Sequence, residues 1–193
     1  MARPQAFDSQ QVLADAMQLF WRQGYASTSI KSLTEVTQLQ PGSLYAAFKN
    51  KRQLFLQALD HYFDELQIGI TALLGSSAPP LDRIRGFFDH LLQQTQDDCD
   101  MKGCMLVNTL LEIPPDDIEI NQRVAGMLQQ IEKEFCRVLQ QAQDEGTLAA
   151  DKNPAALAQL LMTGILGLRV YNRMQTNPAD LKGIVENLLS AVS

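Results

Sequence analysis

Residues 24–55, GYASTSIKSLTEVTQLQPGSLYAAFKNKRQLF, constrain this chain more than any other stretch. Hydroxyl residues stand just before a short apolar-periodic run of Ile30, Leu33 and Val36. Thr28 or Ser29 can cap the exposed N–H groups of a helix there, with those three residues turned inward. Thr37–Gln40 reads as a turn. Pro41 then occupies the first position of a second helix, where its missing N–H costs nothing, and that helix runs to about Phe48. Leu44 and Phe48, four apart, share its inner face. Gly42, Ala46 and Lys49 fall on the opposite side, with Ser43 and Tyr45 flanking them. Two short helices around a tight turn, the second presenting a small polar face with lysines at its rim, form the layout that fits a helix into the major groove of DNA. Small side chains let the helix approach base edges, and an alanine can touch a thymine methyl. The same residues also fit a lysine-rich connection between two core helices.

The period is helical almost throughout, with no β-alternation, internal repeat or low-complexity tract. We expect an all-α chain of about nine helices. The first is capped by Asp8 or Ser9 and ended by Gly24. A long fourth helix, capped by Asn50, runs from Lys51 to about Leu74. The next spans Asp82 to about Gln96, and further helices lie near 103–112, 116–145, 154–171 and 178–192. Breaks fall at GSSAPP (75–80), DDCDMKG (97–103) and IPPDD (113–117). The expected organisation is an N-terminal three-helix helix-turn-helix domain over residues 1–50 and a C-terminal helical bundle over 51–193, with helix 51–74 connecting the two.

Charge divides along the same line. Over 193 residues the formal net charge is −6, yet residues 1–59 hold six basic groups (Arg3, Arg22, Lys31, Lys49, Lys51, Arg52) against three acidic ones (Asp8, Asp15, Glu35). The rest carries ten basic and nineteen acidic groups. A DNA field would orient such a molecule, mildly basic head toward the phosphates and acidic body away.

The segments Gly24-Tyr25, Thr28-Ser29-Ile30, Gly42-Ser43-Leu44-Tyr45, Phe48, Lys51 and Leu54-Phe55 together resemble the N-terminal domain of the tetracycline-repressor (TetR) family of bacterial transcription regulators. The likeness covers roughly residues 8–59. Gly103-Cys104-Met105-Leu106-Val107-Asn108 is similar to a GC-x-x-x-N segment found in one subgroup of the family's ligand domains. The chain departs from the family at Thr37-Gln38-Leu39-Gln40, where Ala-Gly-Val-Ser or similar is usual. The resemblance implies a ligand-responsive, sequence-specific regulator that is released from a palindromic double-stranded operator by a small-molecule effector. On that reading Thr28, Ser29, Lys31, Tyr45, Lys49 and Lys51 hold the phosphate backbone, while Gln40, Gly42, Ser43 and Ala46 face base edges.

The body offers candidates for the other two roles. Phe87, Phe88, Leu91, Met101, Met105, Met127, Phe135, Met162 and Met174 are many aromatic or flexible apolar residues for one bundle, and methionines adapt to ligands of varied shape. Core packing explains each of them equally well. Cys104 joins them at the start of a helix, where the dipole lowers a thiol pKa and Lys102 stands two residues before it. This opens an alternative, a redox- or electrophile-sensing regulator acting through Cys104. Leu161, Gly164, Ile165 and Leu168 form one stripe, and Leu181, Ile184, Val185 and Leu188 another; together they suggest a four-helix homodimer seam, which lets two recognition helices read a palindrome. A helical protein-interaction module without DNA binding shares this composition but does not need the hydroxyl and lysine rim.

Little supports catalysis. His61 and His90 form no H-E-x-x-H arrangement, no glycine-rich phosphate loop follows a strand, and the carboxylate pairs Asp97/Asp98 and Asp116/Asp117 sit at helix ends, where the macrodipole accounts for them. Cys99, Cys104 and Cys136 lack zinc-site spacing, so neither a metal nor a cofactor is expected, and reduced thiols are. MARPQAFDSQ breaks any signal-peptide pattern, and the apolar region from Asn153 to Leu168 falls short of a bilayer span, so a cytoplasmic protein is expected.

Overall fold

Several helices begin where a side chain caps the first free N–H groups. The computed structural model describes residues 8–97, 102–171, 174 and 177–192. Helix α1 (Ser9–Gln23) starts at Asp8, whose carboxylate accepts from the N–H groups of Gln10 and Gln11. Helix α2 (Ile30–Thr37) starts at a reciprocal capping box, Ser29 with Ser32. Helix α3 (Pro41–Phe48) has proline in its first turn. Helix α4 (Lys51–Leu74) is capped by Asn50 Oδ1, which accepts from Gln53 N at 2.8 Å. The body adds α5 (Pro80–Asp97), α6 (Met105–Glu112), α7 (Ile118–Asp144), α8 (Pro154–Tyr171) and α9 (Pro178–Ser190). All described regular structure is helical.

One continuous apolar core runs through the molecule, and α4 carries it from end to end. At the head, Val12, Met17 and Phe20 of α1, Leu33 of α2 and Leu44 and Phe48 of α3 close around Leu54 and Phe55 of α4. Phe20 meets Phe55 edge-on at 5.0 Å between centroids, a favoured aromatic geometry. At the other end Ile70 and Leu74 join the body core, where Phe87 stands perpendicular to Phe135 at 4.9 Å. Arg83 is buried and donates to Leu74 O and to Gln141 Oε1, so α5 is tied to α7 and places a cation at the C-terminal end of α4. Helix α8 is long and apolar enough to cross a bilayer by composition alone. It packs instead along α7 and α9.

Three details of the sequence reading change. Val36 is 39 % exposed, because α2 turns Leu33 and Thr37 inward, four residues apart. The turn that lacks the family's glycine is nonetheless made, with Gln38 itself in the left-handed region (φ 55°, ψ 22°) and its side-chain amide donating to Glu35 O at 2.6 Å. That local hydrogen bond offsets part of the roughly 1–2 kcal/mol such a conformation costs a residue bearing a Cβ. Helix α5 begins at Pro80, with Asp82 in its first turn rather than at its cap.

Candidate nucleic-acid interface

Helix α3 presents the face expected from its sequence. Leu44 and Phe48 are buried, while Gln40, Gly42, Ser43, Tyr45, Ala46 and Lys49 are exposed. Nothing lies within 4 Å of where a Cβ on Gly42 would stand, so this side of the helix is open to an incoming surface. Lys49 ends α3 at φ 66°, with its N–H on Tyr45 O at 2.8 Å.

The flanking groups divide into those that can meet phosphate and those that the fold employs elsewhere. Lys31 is well exposed, its ammonium 3.9 Å from Glu35 one turn on. Thr28 cannot hold a backbone phosphate as it stands: it is 1 % exposed and its hydroxyl donates to Gly24 O at 2.6 Å, closing the α1–α2 turn from inside. Ser29 is exposed, but its oxygen already accepts from Ser32 N. Lys51 lies half-buried over the Tyr25 ring, 4.5 Å from its centroid. Burial lowers its pKa, and the nearby Glu112 carboxylate opposes that shift. Arg52, counted with the head's cations, forms a bidentate pair with Asp117 (2.6 and 2.7 Å) and reaches Glu119 at 2.8 Å. These bonds hold its pKa above the usual range and Asp117 below it.

In the body the residues singled out for a ligand separate. Phe87 and Leu91 line a cleft of about 80 Å³ between α4, α5 and α8, with Leu66, Ile70 and Leu73 on its apolar side and Glu65, His90, Gln94 and Arg169 on its polar side. Arg169 donates to Gln94 Oε1 at 3.0 Å, and Gln94 meets His90 Nε2 at 3.0 Å. The four polar residues were missed because they are scattered over α4, α5 and α8 with no short-range motif. Phe88 and Phe135, both 0 % exposed, back Phe87 rather than face the cleft. Met105, Met127 and Met162 are core residues, and Met174 is exposed. Met101, like Cys99, lies outside the described residues. Cys104 precedes α6 as its cap residue but is buried, with the Tyr62 hydroxyl 3.5 Å from its sulfur. Burial, and next to it Cys104, pushes the Tyr62 hydroxyl well above its ordinary pKa.

Much of the two stripes expected to form a dimer seam is taken up inside the protomer. Leu161, Ile165, Leu168, Leu181 and Val185 are buried in the protomer's own core, and Ile184 and Leu188 pack partly against it. Gly164 allows Leu188 to lie directly on α8 within one protomer, since an added Cβ would collide with its methyl groups. Among the residues that α8 leaves exposed are Leu160, Thr163, Gly167, Val170 and Tyr171.

A helix-turn-helix with an open, small-residue recognition face, mounted by a shared long helix on an all-helical body, has the layout of a DNA-binding regulator. Residues 12–58 match the family described as bacterial regulatory proteins, tetR family, and residues 80–188 match the Tetracyclin repressor-like C-terminal domain. The chain belongs to the TetR family of bacterial transcription regulators. It is 28 % identical to the uncharacterized HTH-type transcriptional regulator YezE of Bacillus subtilis (strain 168), over the whole of both chains. It is also 28 % identical to the HTH-type transcriptional repressor ComR of Escherichia coli (strain K12), over 89 % of this chain and 82 % of that one. Among solved structures it is similar to the TetR family regulator CifR, a cysteine mutant in complex with 26-bp double-strand operator DNA, with TM-score 0.89, 27 % identity and full coverage of both chains.

Proposed function

We propose that this chain is a homodimeric transcriptional repressor that binds a palindromic double-stranded operator and leaves it when a small molecule enters the body. The observation that carries the reading is the outward face of α3: Gly42, Ser43 and Ala46 are open, Gln40 stands at the helix start, and Lys31, Lys49 and Tyr45 are exposed around them. Small residues between cations give close approach to base edges and a grip on phosphates at the rim. Residues 1–50 serve as the reading head and 51–193 as the effector and dimerisation body, with α4 shared. The protein acts in the cytoplasm, without catalysis or a cofactor.

The effector site in this reading is the cleft between α4, α5 and α8. Its volume and lining suit a small, mainly apolar molecule whose acceptor group meets the Arg169 guanidinium. The partner copy covers Leu160, Gly167, Val170 and Tyr171 of α8. Selection of duplexes from a random library by the wild-type chain tests the reading. Enrichment of a palindrome whose half-sites lie about one helical turn apart, or a multiple of it, is the expected result, and absence of any enriched sequence overturns it.

A further inference from the structure

Helix α6 is tied to the head at both of its ends. Before it, Lys102 holds its ammonium 4.5 Å over the Trp21 ring of α1 and 3.4 Å from Gln18 Oε1. Asn108, the last residue of the GC-x-x-x-N segment, donates to Lys102 O at 2.7 Å and so fixes that approach to the helix. At the other end Glu112, the final residue of α6, enters the α1–α2 turn. Its two carboxylate oxygens accept from Tyr25 N at 2.9 Å and from Ala26 N at 2.6 Å. Successive N–H groups converge on one anion here, as in a backbone nest.

The turn is shaped to admit that carboxylate. Gly24 adopts φ 80° and ψ 169°, a conformation essentially reserved for glycine. A Cβ at Gly24 would stand 2.6 Å from Glu112 Oε2. Lys51, at the start of α4, lies beside the same group, over Tyr25 and 3.5 Å from Ala26 O, and it feels the Glu112 charge. Tyr25 itself packs on Phe55 at 4.7 Å between centroids, so whatever fixes the turn also bears on the head's core.

We propose that Glu112 is a positioning residue for operator binding: seated in the Tyr25–Ala26 nest, it sets the angle of the reading head on the body, and its withdrawal frees the head. The role rests on the operator reading above. Charge-assisted hydrogen bonds to two adjacent amides fix a direction as well as a distance. Glu112 lies 86 and 87 residues from these partners in sequence, so the bonds record the docking of body on head and nothing local. Because α6 ends at Glu112, a shift of α6 along its axis withdraws the carboxylate from the nest.

The test compares Glu112→Ala and Glu112→Gln with the wild type. Binding is titrated on a duplex recovered by wild-type selection, and amide hydrogen exchange is followed residue by residue in the free protein. Ala26 is exposed, so water satisfies the vacated N–H groups and both variants fold. Expected in Glu112→Ala are selectively faster exchange at Tyr25 and Ala26 and an operator affinity lower by roughly 10-fold or more, with the salt dependence of binding unchanged. Glu112→Gln, whose carbonyl can still accept one amide, should fall between the two. Unchanged protection of Tyr25 and Ala26, wild-type operator affinity in Glu112→Ala, or equal gains in affinity for both variants through loss of a negative charge would each overturn the proposal. A wild-type chain that enriches no duplex would instead overturn the operator reading on which it rests.

Discussion

Removing charge from the head separates cations aimed at DNA from those the fold has already engaged. Counting by sequence alone places Lys31, Lys49, Lys51 and Arg52 on phosphates. In the structure the Arg52 guanidinium is clamped by Asp117 and Glu119 of the body, leaving for DNA the exposed Lys31 and Lys49 and, beside them, Lys51, which is only half-buried over Tyr25. In a dimer these three neutralise six phosphates, for which log affinity falls against log salt with a slope of about −5. Raising salt from about 50 to 200 mM then weakens binding about 10³-fold. Lys49→Gln, which keeps a Cβ at the positive-φ position, removes two of the six contacts, so the slope should flatten to about −3.6 and the same salt step should cost about 10²-fold. Arg52→Gln should leave the slope as it is in the wild type. Fluorescence-anisotropy titrations on one duplex at four or five salt concentrations measure all three slopes. An Arg52→Gln slope flattened as much as that of Lys49→Gln would show that Arg52 leaves Asp117 for the phosphates, and would refute the assignment.

Three further outcomes are expected. Val170→Asp, at a position 42 % exposed in the protomer, should give a folded monomer by sedimentation velocity, since a charge there would be buried unpaired in the proposed seam; a dimer at micromolar concentration would move the seam elsewhere. Under limiting alkylating reagent, Cys136 should label faster than Cys104, which is buried beneath Tyr62, and mass spectrometry of the digested protein checks the order; faster labelling at Cys104 would revive the electrophile-sensing alternative. Arg52 depresses the Asp117 pKa, so the stability this pair supplies is fully present above the ordinary carboxylate value of about 4 and is lost as pH falls through the lower folded-state value. Denaturant unfolding followed from pH 6 downward should therefore show an acid-side loss that is smaller in Arg52→Gln, and identical profiles would deny the linkage.

Much of the architecture follows from short-range chemistry and was legible in the chain. Asp8, Ser29 and Asn50 cap helices because each supplies an acceptor just before a run of apolar residues at threes and fours. Pro41 and the Leu44–Phe48 spacing set both the start of α3 and its outward face. Where the local rule was broken, at Gln38, the backbone took the left-handed conformation regardless, because the packing of α2 on α3 and the bond to Glu35 O outweigh the strain of one residue.

Tertiary structure decided what periodicity leaves degenerate. Helix α8 is apolar on more than one side, so Leu161, Ile165 and Leu168 were as eligible for a dimer seam as Leu160 and Val170 until α7 and α9 covered the first set. Thr28 looked like a free hydroxyl until the turn closed over it, and Arg52 like a free cation until Asp117, 65 residues away, met it. Glu112 carried no signal at all, since a carboxylate at the end of a helix is ordinary and its partners are backbone N–H groups, which every residue but proline possesses. Local hydrogen bonding and side-chain spacing reach only a few residues along the chain and thus specify helices; which face is inside, and which charge meets which, depends on chain segments that only folding brings together.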